Sequence, residues 1–287
     1  MGKTVVFWSP EQGHGNVTSA VTAVVSAIGL WHPFLEVALA YTGCDKLDLE
    51  YRMEQKLRER GKADCFDRTG VKAFEFHYRQ GALTSEKIRR CAVPLLFSSV
   101  SLFPSSGGGC LPGGGQGKEY QDNSKIRHYL LTEKLKKEYA LTILDVKSGC
   151  ETESLSYLEA ADLVVIPVSP DPARWSRIIS EGEERCKGRH LYLLSGYHAQ
   201  SIYGPAQFRR IVCRHAGYGK EVQSAALVYD CGFADAMAEG RALEFFLKNE
   251  EVKKQETQYE FMEQSRKLTK QIIREVMGKE ADRFFLS

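Results

Sequence analysis

TVVFWSPEQGHGNVTSAVTAVVSAIG, residues 4–29, decides how the rest of the chain is read. Residues 4–8 form a short apolar run, the pattern of a strand buried on both faces. Residues 9–16 are a loop with glycines at Gly13 and Gly15, and residues 17–28 are small, apolar and β-branched, with Thr18 and Ser19 at their mouth. A strand, a glycine-bearing loop and a helix opening on Thr/Ser is a phosphate-binding layout. Backbone N–H groups of the loop and the helix N-terminus converge there on an anion. The Thr18 hydroxyl stands where such loops hold Mg2+. The lysine that such loops normally carry is absent.

Working outward, apolar strand-like runs recur at residues 33–41, 95–103, 141–145, 161–168, 190–195 and 224–229. Helical stretches fall between them, over 49–60, from Thr84 to Pro94, over 124–139, and near 171–186, 205–216 and 234–247. Short apolar runs alternating with helices predict an α/β fold, a mostly parallel sheet of about seven strands with helices on both faces. Residues 61–81 show no clear pattern. Residues 105–120, SSGGGCLPGGGQGKEY, contain Gly117-Lys118 but do not form the phosphate loop. The pattern GxxxxGK[ST] needs glycine at Pro112 and Ser or Thr at Glu119. The stretch is expected to be a glycine-rich surface insertion. Residues 250–277 read as a long helix with Tyr259, Met262, Leu268, Ile272, Ile273 and Val276 apolar, so the expected organisation is a domain over 1–249 and a helical tail over 250–287 packed on it.

A formal net charge of +2 makes no electrostatic case for a nucleic-acid partner. The eight cysteines are scattered without a CxxC pair, which argues against zinc or iron–sulfur sites and for reduced thiols of the cytoplasm. No signal peptide is expected before the strand at Thr4. No apolar run reaches the ~20 residues of a membrane span. The expected location is cytoplasmic, with peripheral attachment at a membrane or cell pole as a further option.

Four segments together resemble the deviant Walker ATPases of the MinD/ParA class, a branch of the P-loop NTPases. That class carries KGGxGKT[TS] after its first strand, and Gln12-Gly13-His14-Gly15-Asn16-Val17-Thr18-Ser19 aligns with it without gaps. Leu144-Asp145-Val146-Lys147-Ser148-Gly149 resembles the Walker B and switch segment. Ala161-Asp162-Leu163-Val164-Val165-Ile166-Pro167-Val168 is similar to the strand that follows. Gly232-Phe233-Ala234-Asp235-Ala236, with Gly240 and Glu244-Phe245-Phe246, is like the closing loop and helix. The opening FWSP and the segment Leu194-Ser195-Gly196-Tyr197…Ser201…Tyr203 look most like TadZ/CpaE-type members, which position pilus assembly machinery. The resemblance implies ATP with Mg2+ bound at residues 12–19, Thr18 and Asp145 holding the metal, a homodimer, and protein partners in a pilus, secretion or positioning system.

The departures from the pattern shape the functional expectation. Val17 stands where the class has the lysine that neutralises the β/γ-phosphates, and Gln12 where it has the lysine that crosses the dimer. His14 and Asn16 replace two glycines. Asn tolerates positive φ well, whereas the His14 side chain competes for phosphate space. Thr18 and Asp145 remain, so the metal side of the site is kept and the cationic side lost. Lys147 could lean in and replace one charge. The implied function is a localisation or scaffold factor with weakened or lost ATP hydrolysis and weak or absent ATP and Mg2+ binding. Two alternatives stand beside it: an active ATPase with Asp145 as its catalytic carboxylate, and a partner-binding module that keeps only the fold.

Overall fold

The structure, a computed structural model, describes residues 1–13, 15–43, 48–57, 69–105, 118–215 and 223–285. Its strands are β1 (Lys3–Phe7), β2 (Val37–Tyr41), β3 (Val93–Pro94), β4 (Val100–Phe103), β5 (Leu141–Asp145), β6 (Leu163–Val168), β7 (His190–Tyr197) and β8 (Gln223–Val228). They form one 8-stranded sheet in the order β3-β4-β2-β5-β1-β6-β7-β8. Every pairing is parallel except β3 with β4. The inner strands are mostly buried, β5 and β6 at every position, as expected when helices cover both faces.

The strand β1 lies inside the sheet between β5 and β6, and no residue of Val5–Phe7 exposes any surface. Phe7 is in register with Asp145 on one side and Val165 on the other, and Tyr41 is also opposite Asp145. The carboxyl ends of β2, β5 and β1 are therefore level, and α1 (Val17–Trp31) starts just beyond them. This helix is apolar all round, which is the composition of a buried helix. Ala20, Val21, Ala23, Val24, Val25, Ala27 and Ile28 are all 0% exposed. Its two interior hydroxyls are satisfied within the helix, Thr22 donating to the Thr18 carbonyl and Ser26 to the Thr22 carbonyl, each at 2.7 Å.

The remaining helices are α2 (Asp48–Met53), α3 (Gly70–Arg79), α4 (Ser85–Cys91), α5 (Lys118–Tyr129), α6 (Leu135–Glu138), α7 (Thr152–Ala160), α8 (Pro172–Arg185), α9 (Pro205–His215), α10 (Cys231–Glu239), α11 (Ala242–Lys248) and α12 (Tyr259–Met277). A π-helical turn, Leu130–Lys134, joins α5 to α6. The helix α12 buries Phe261, Met262, Ser265, Leu268, Thr269, Ile272, Ile273 and Val276 along one stripe and packs on α1 and β8.

Several sequence expectations are corrected. Residues 95–103 do not make one strand: Pro94 ends the short β3, the chain turns through Phe97, and only Val100–Phe103 joins the sheet. Proline lacks the N–H an inner strand needs, so it sits on the edge. The expected helix over 49–60 is interrupted: α2 stops at Met53, Glu54 breaks it, residues 55–57 are helical again, and residues 58–60 lie outside the described ones. The unpatterned stretch contains α3, whose buried set is only Gly70, Val71, Ala73 and Phe74. The helix near 234–247 is two, broken at Gly240, whose φ of 74° makes a left-handed C-cap. The tail is helical only from Tyr259. Of the glycine-rich insertion, residues 106–117 lie outside the described residues.

Candidate functional site: a loop and cleft at the carboxyl edge of the sheet

The loop after β1 keeps the backbone shape that its sequence foretells at Asn16. Asn16 has φ 50° and is the sole non-glycine residue with positive φ among the described residues; Gly13 has φ 77°. Gly15 is required for a reason the motif does not contain. A Cβ there would lie 2.6 Å from the Pro167 carbonyl oxygen and 3.0 Å from Ser9 Cβ. We therefore expect Gly15→Ala to cost about 1–3 kcal/mol by overpacking and to lower Tm by roughly 2–6 °C. An unchanged thermal midpoint would show that the loop does not press on β6. His14 lies outside the described residues.

The loop is tied down on two sides. Glu11, which carries no motif signal, pairs with Arg174 of α8 at 2.8 Å and also with Arg177. On the other side, Trp8 Nε1 donates to the Gly149 carbonyl at 2.8 Å and Gly149 N donates to the Ser9 carbonyl at 2.9 Å. Gln12 Nε2 donates to the Ser148 carbonyl at 3.2 Å, so the side chain at the class's second lysine position clips the loop to the segment after β5. The α1 N-terminus has no acidic residue in its first turn and receives no side-chain hydrogen bond from Asn16. Its positive end is left to whatever enters the cleft.

Asp145, the last residue of β5, is 2% exposed. Thr18 Oγ1 donates to Asp145 Oδ2 at 2.8 Å. These two oxygens suit Mg2+. It takes hard oxygen donors at ~2.0–2.1 Å in octahedral geometry and completes its shell with water and phosphate. Neighbouring ligands of such an octahedron are separated by about 2.9 Å, so the pair already stands at ligand spacing.

Gln12, Gly13, Gly15, Asn16, Val17, Thr18 and Ser19 line one cleft with Asp145, joined by Tyr41, Leu49, Arg52 and residues 146–148. Its volume is about 270 Å3, below the ~300–1,000 Å3 of sites that engulf a whole drug-sized ligand and suited to a polyphosphate with its metal. Val17 is 8% exposed and contributes an apolar wall. Lys147 lines the cleft, and its ammonium contacts Glu151 at 3.1 Å. Arg52 and Glu50 reach this region from α2, on a stretch that carries no motif.

Glu50 is fully buried and accepts hydrogen bonds from Ser105 N at 2.6 Å and Ser105 Oγ at 3.0 Å. Burial pushes its carboxyl from 4.5 up to about 7; the hydrogen bonds oppose the rise and the Asp145 charge adds to it. The protonated form is thus favoured by folding. That stabilisation is complete below pH 4.5 and is lost as pH rises through about 7. The loss is on the order of 3 kcal/mol. Glu50→Gln keeps an acceptor for Ser105 and does not titrate. It is expected to match the wild type in thermal melts near pH 5 and to exceed it by several degrees at pH 8. Equal differences at both pH values would contradict this.

No protein-family model matches the sequence, and no curated protein matches it either. Solved structures do match over nearly the whole chain. The septum site-determining protein MinD of Pyrococcus horikoshii OT3, complexed with Mg-ADP, is similar with a TM-score of 0.62 at 16% identity, covering 95% of this chain and 96% of that one. A ParA family ATPase from Chlorobium tepidum TLS gives a TM-score of 0.65 at 12% identity, covering 93% and 97%. The MinC:MinD cell division protein complex of Aquifex aeolicus gives 0.60 at 15% identity, covering 93% and 96%. With its parallel sheet, its loop between β1 and α1 and its helices on both faces, the chain has the α/β P-loop fold of the MinD and ParA ATPases.

Proposed function

We propose that this chain is a ParA/MinD-like protein that holds a Mg-nucleotide at residues 12–19 with little or no hydrolysis, and works as a dimeric localisation or scaffold factor. The observation that carries this reading is the Thr18–Asp145 pair at 2.8 Å, at the mouth of a loop whose two lysine positions are Val17 and Gln12. The metal-holding groups are together, while the charges that would stabilise a transferring phosphoryl group are missing from the loop. When bound, Mg2+ would neutralise phosphate charge; Thr18 and Asp145 would hold it, and the α1 N-terminus would face the phosphates. Protein partners in pilus or secretion assembly are the proposed context, supported by the likeness of the FWSP and 194–203 segments to TadZ/CpaE-type proteins. No helix among the described residues is long and apolar enough to cross a membrane.

The test is a thermal melt with Mg-ATP, with sedimentation on the same samples. A ligand that binds only the folded state raises Tm in proportion to its saturation. The expected result is a Mg-dependent rise that Thr18→Ala abolishes, together with a shift from monomer to dimer. No rise at millimolar Mg-ATP would favour the partner-binding module that keeps only the fold.

A further inference from the structure

We infer that Arg52, carried by α2 and not by the phosphate loop, is the protein cation that meets the phosphates of the bound nucleotide. The inference rests on the proposed nucleotide site and adds to it a residue that no motif supplies.

Four observations converge on Arg52. It lines the same cleft as Gly13, Gly15, Thr18 and Asp145. Its Nε is buried and has no hydrogen-bond partner among the described residues. A guanidinium N–H without an acceptor is costly, and no carboxylate or carbonyl of the described residues takes it up. The other cation that lines the cleft among the described residues, Lys147, has its ammonium against Glu151. Glu50, on the same helix, is turned inward onto Ser105.

The helix α2 is a firm base for this role. Leu49 and Met53 are buried at 1% and 0% exposure, and α2 packs on α1, α10 and α11. The Tyr51 carbonyl lies where a Cβ on Gly240 would approach to 2.8 Å, so the end of α10 sits directly on it. An arginine suits the task, because its planar fork of donors matches two phosphate oxygens at once where a lysine offers a point charge. The charge absent at Val17 and Gln12 is thereby partly restored from a different crossover. A contact to phosphates that Mg-ADP also carries, not to the transferring group, binds ground state and transition state alike, so it tightens binding without restoring turnover.

The experiment is Mg-ATP and Mg-ADP titration by calorimetry on the full chain as wild type, Arg52→Met, Arg52→Lys and Thr18→Ala. Arg52→Met is expected to weaken both ligands roughly 10- to 150-fold, the worth of one charge-assisted contact. Arg52→Lys should recover part of that loss. Salt should weaken wild-type binding more steeply than Arg52→Met binding. If Arg52→Met binds like the wild type while Thr18→Ala is weakened, the inference fails and the nucleotide reading stands. If the wild type binds neither ligand at millimolar concentration, both fall. Should Arg52→Met fail to fold, the Arg52 Nε–H resonance of the wild type decides: a shift on adding Mg-ATP supports the contact, and an unmoved signal overturns it.

Discussion

Val17→Lys combined with His14→Gly is expected to bind Mg-ATP at least about tenfold more tightly than the wild type, and Val17→Lys alone to gain less. Val17 is the first residue of α1 and lines the cleft, so a lysine there delivers its ammonium to the mouth of the phosphate loop. Two effects oppose each other. A cation at a helix N-terminus costs about 0.3–1 kcal/mol. A charge-assisted contact with phosphate returns about 1.5–3 kcal/mol. The gain wins once phosphate is present and the cost wins without it, so the variant should also be slightly less stable than wild type in the absence of nucleotide. Glycine at position 14 removes the side chain that the resemblance places in the phosphate space. If neither variant binds better than wild type in calorimetry, residues 12–19 are not a phosphate site, and the chain is a module that binds partners without nucleotide.

The elements that were legible in the sequence are those with a one-to-one mapping from pattern to burial. Strands such as Leu141–Asp145 are buried on both faces and read as continuous apolar runs. The left-handed conformation at Asn16 followed from the one side chain in the loop best able to adopt it. The pairing of Thr18 with Asp145 followed from motif order, because parallel neighbours of β1 deliver their last residues to the same edge. What stayed hidden depends on contacts between distant segments. The need for glycine at 15 comes from the Pro167 carbonyl of β6, the strand beside β1. The anchoring of Glu11 by α8 and the arrival of Arg52 in the cleft are set by how helices pack after the sheet forms. The helix α3 is not legible in the sequence because few of its residues are buried, and Gly70 opens it at φ 78°, packed so closely that a Cβ would lie 2.2 Å from the Pro104 carbonyl oxygen. The short edge pair of β3 and β4 was masked by a proline that belongs to a strand only at an edge.

Hydrolysis is where the chain should differ most from an active enzyme of the same fold. Phosphoryl transfer is catalysed by positioning and by charge aimed at the transferring group. The loop offers Val17 and Gln12 where two lysines would act, Gln12 is engaged with the Ser148 carbonyl, and Lys147 is engaged with Glu151. Loss of such contacts removes several kcal/mol of transition-state stabilisation, on the order of 10²–10⁴-fold or more in rate. A contact of Arg52 with phosphates other than the transferring one would not offset this, since a contact that is equal in ground and transition states leaves the barrier unchanged. The most direct measurement is phosphate release under single-turnover conditions, with protein in excess and Mg-ATP binding followed on the same sample. Saturable Mg-ATP binding is expected, with release no faster than in Thr18→Ala. Mg-dependent turnover well above that control, abolished by Asp145→Ala, would contradict a hydrolytically silent site and make the chain an active ATPase.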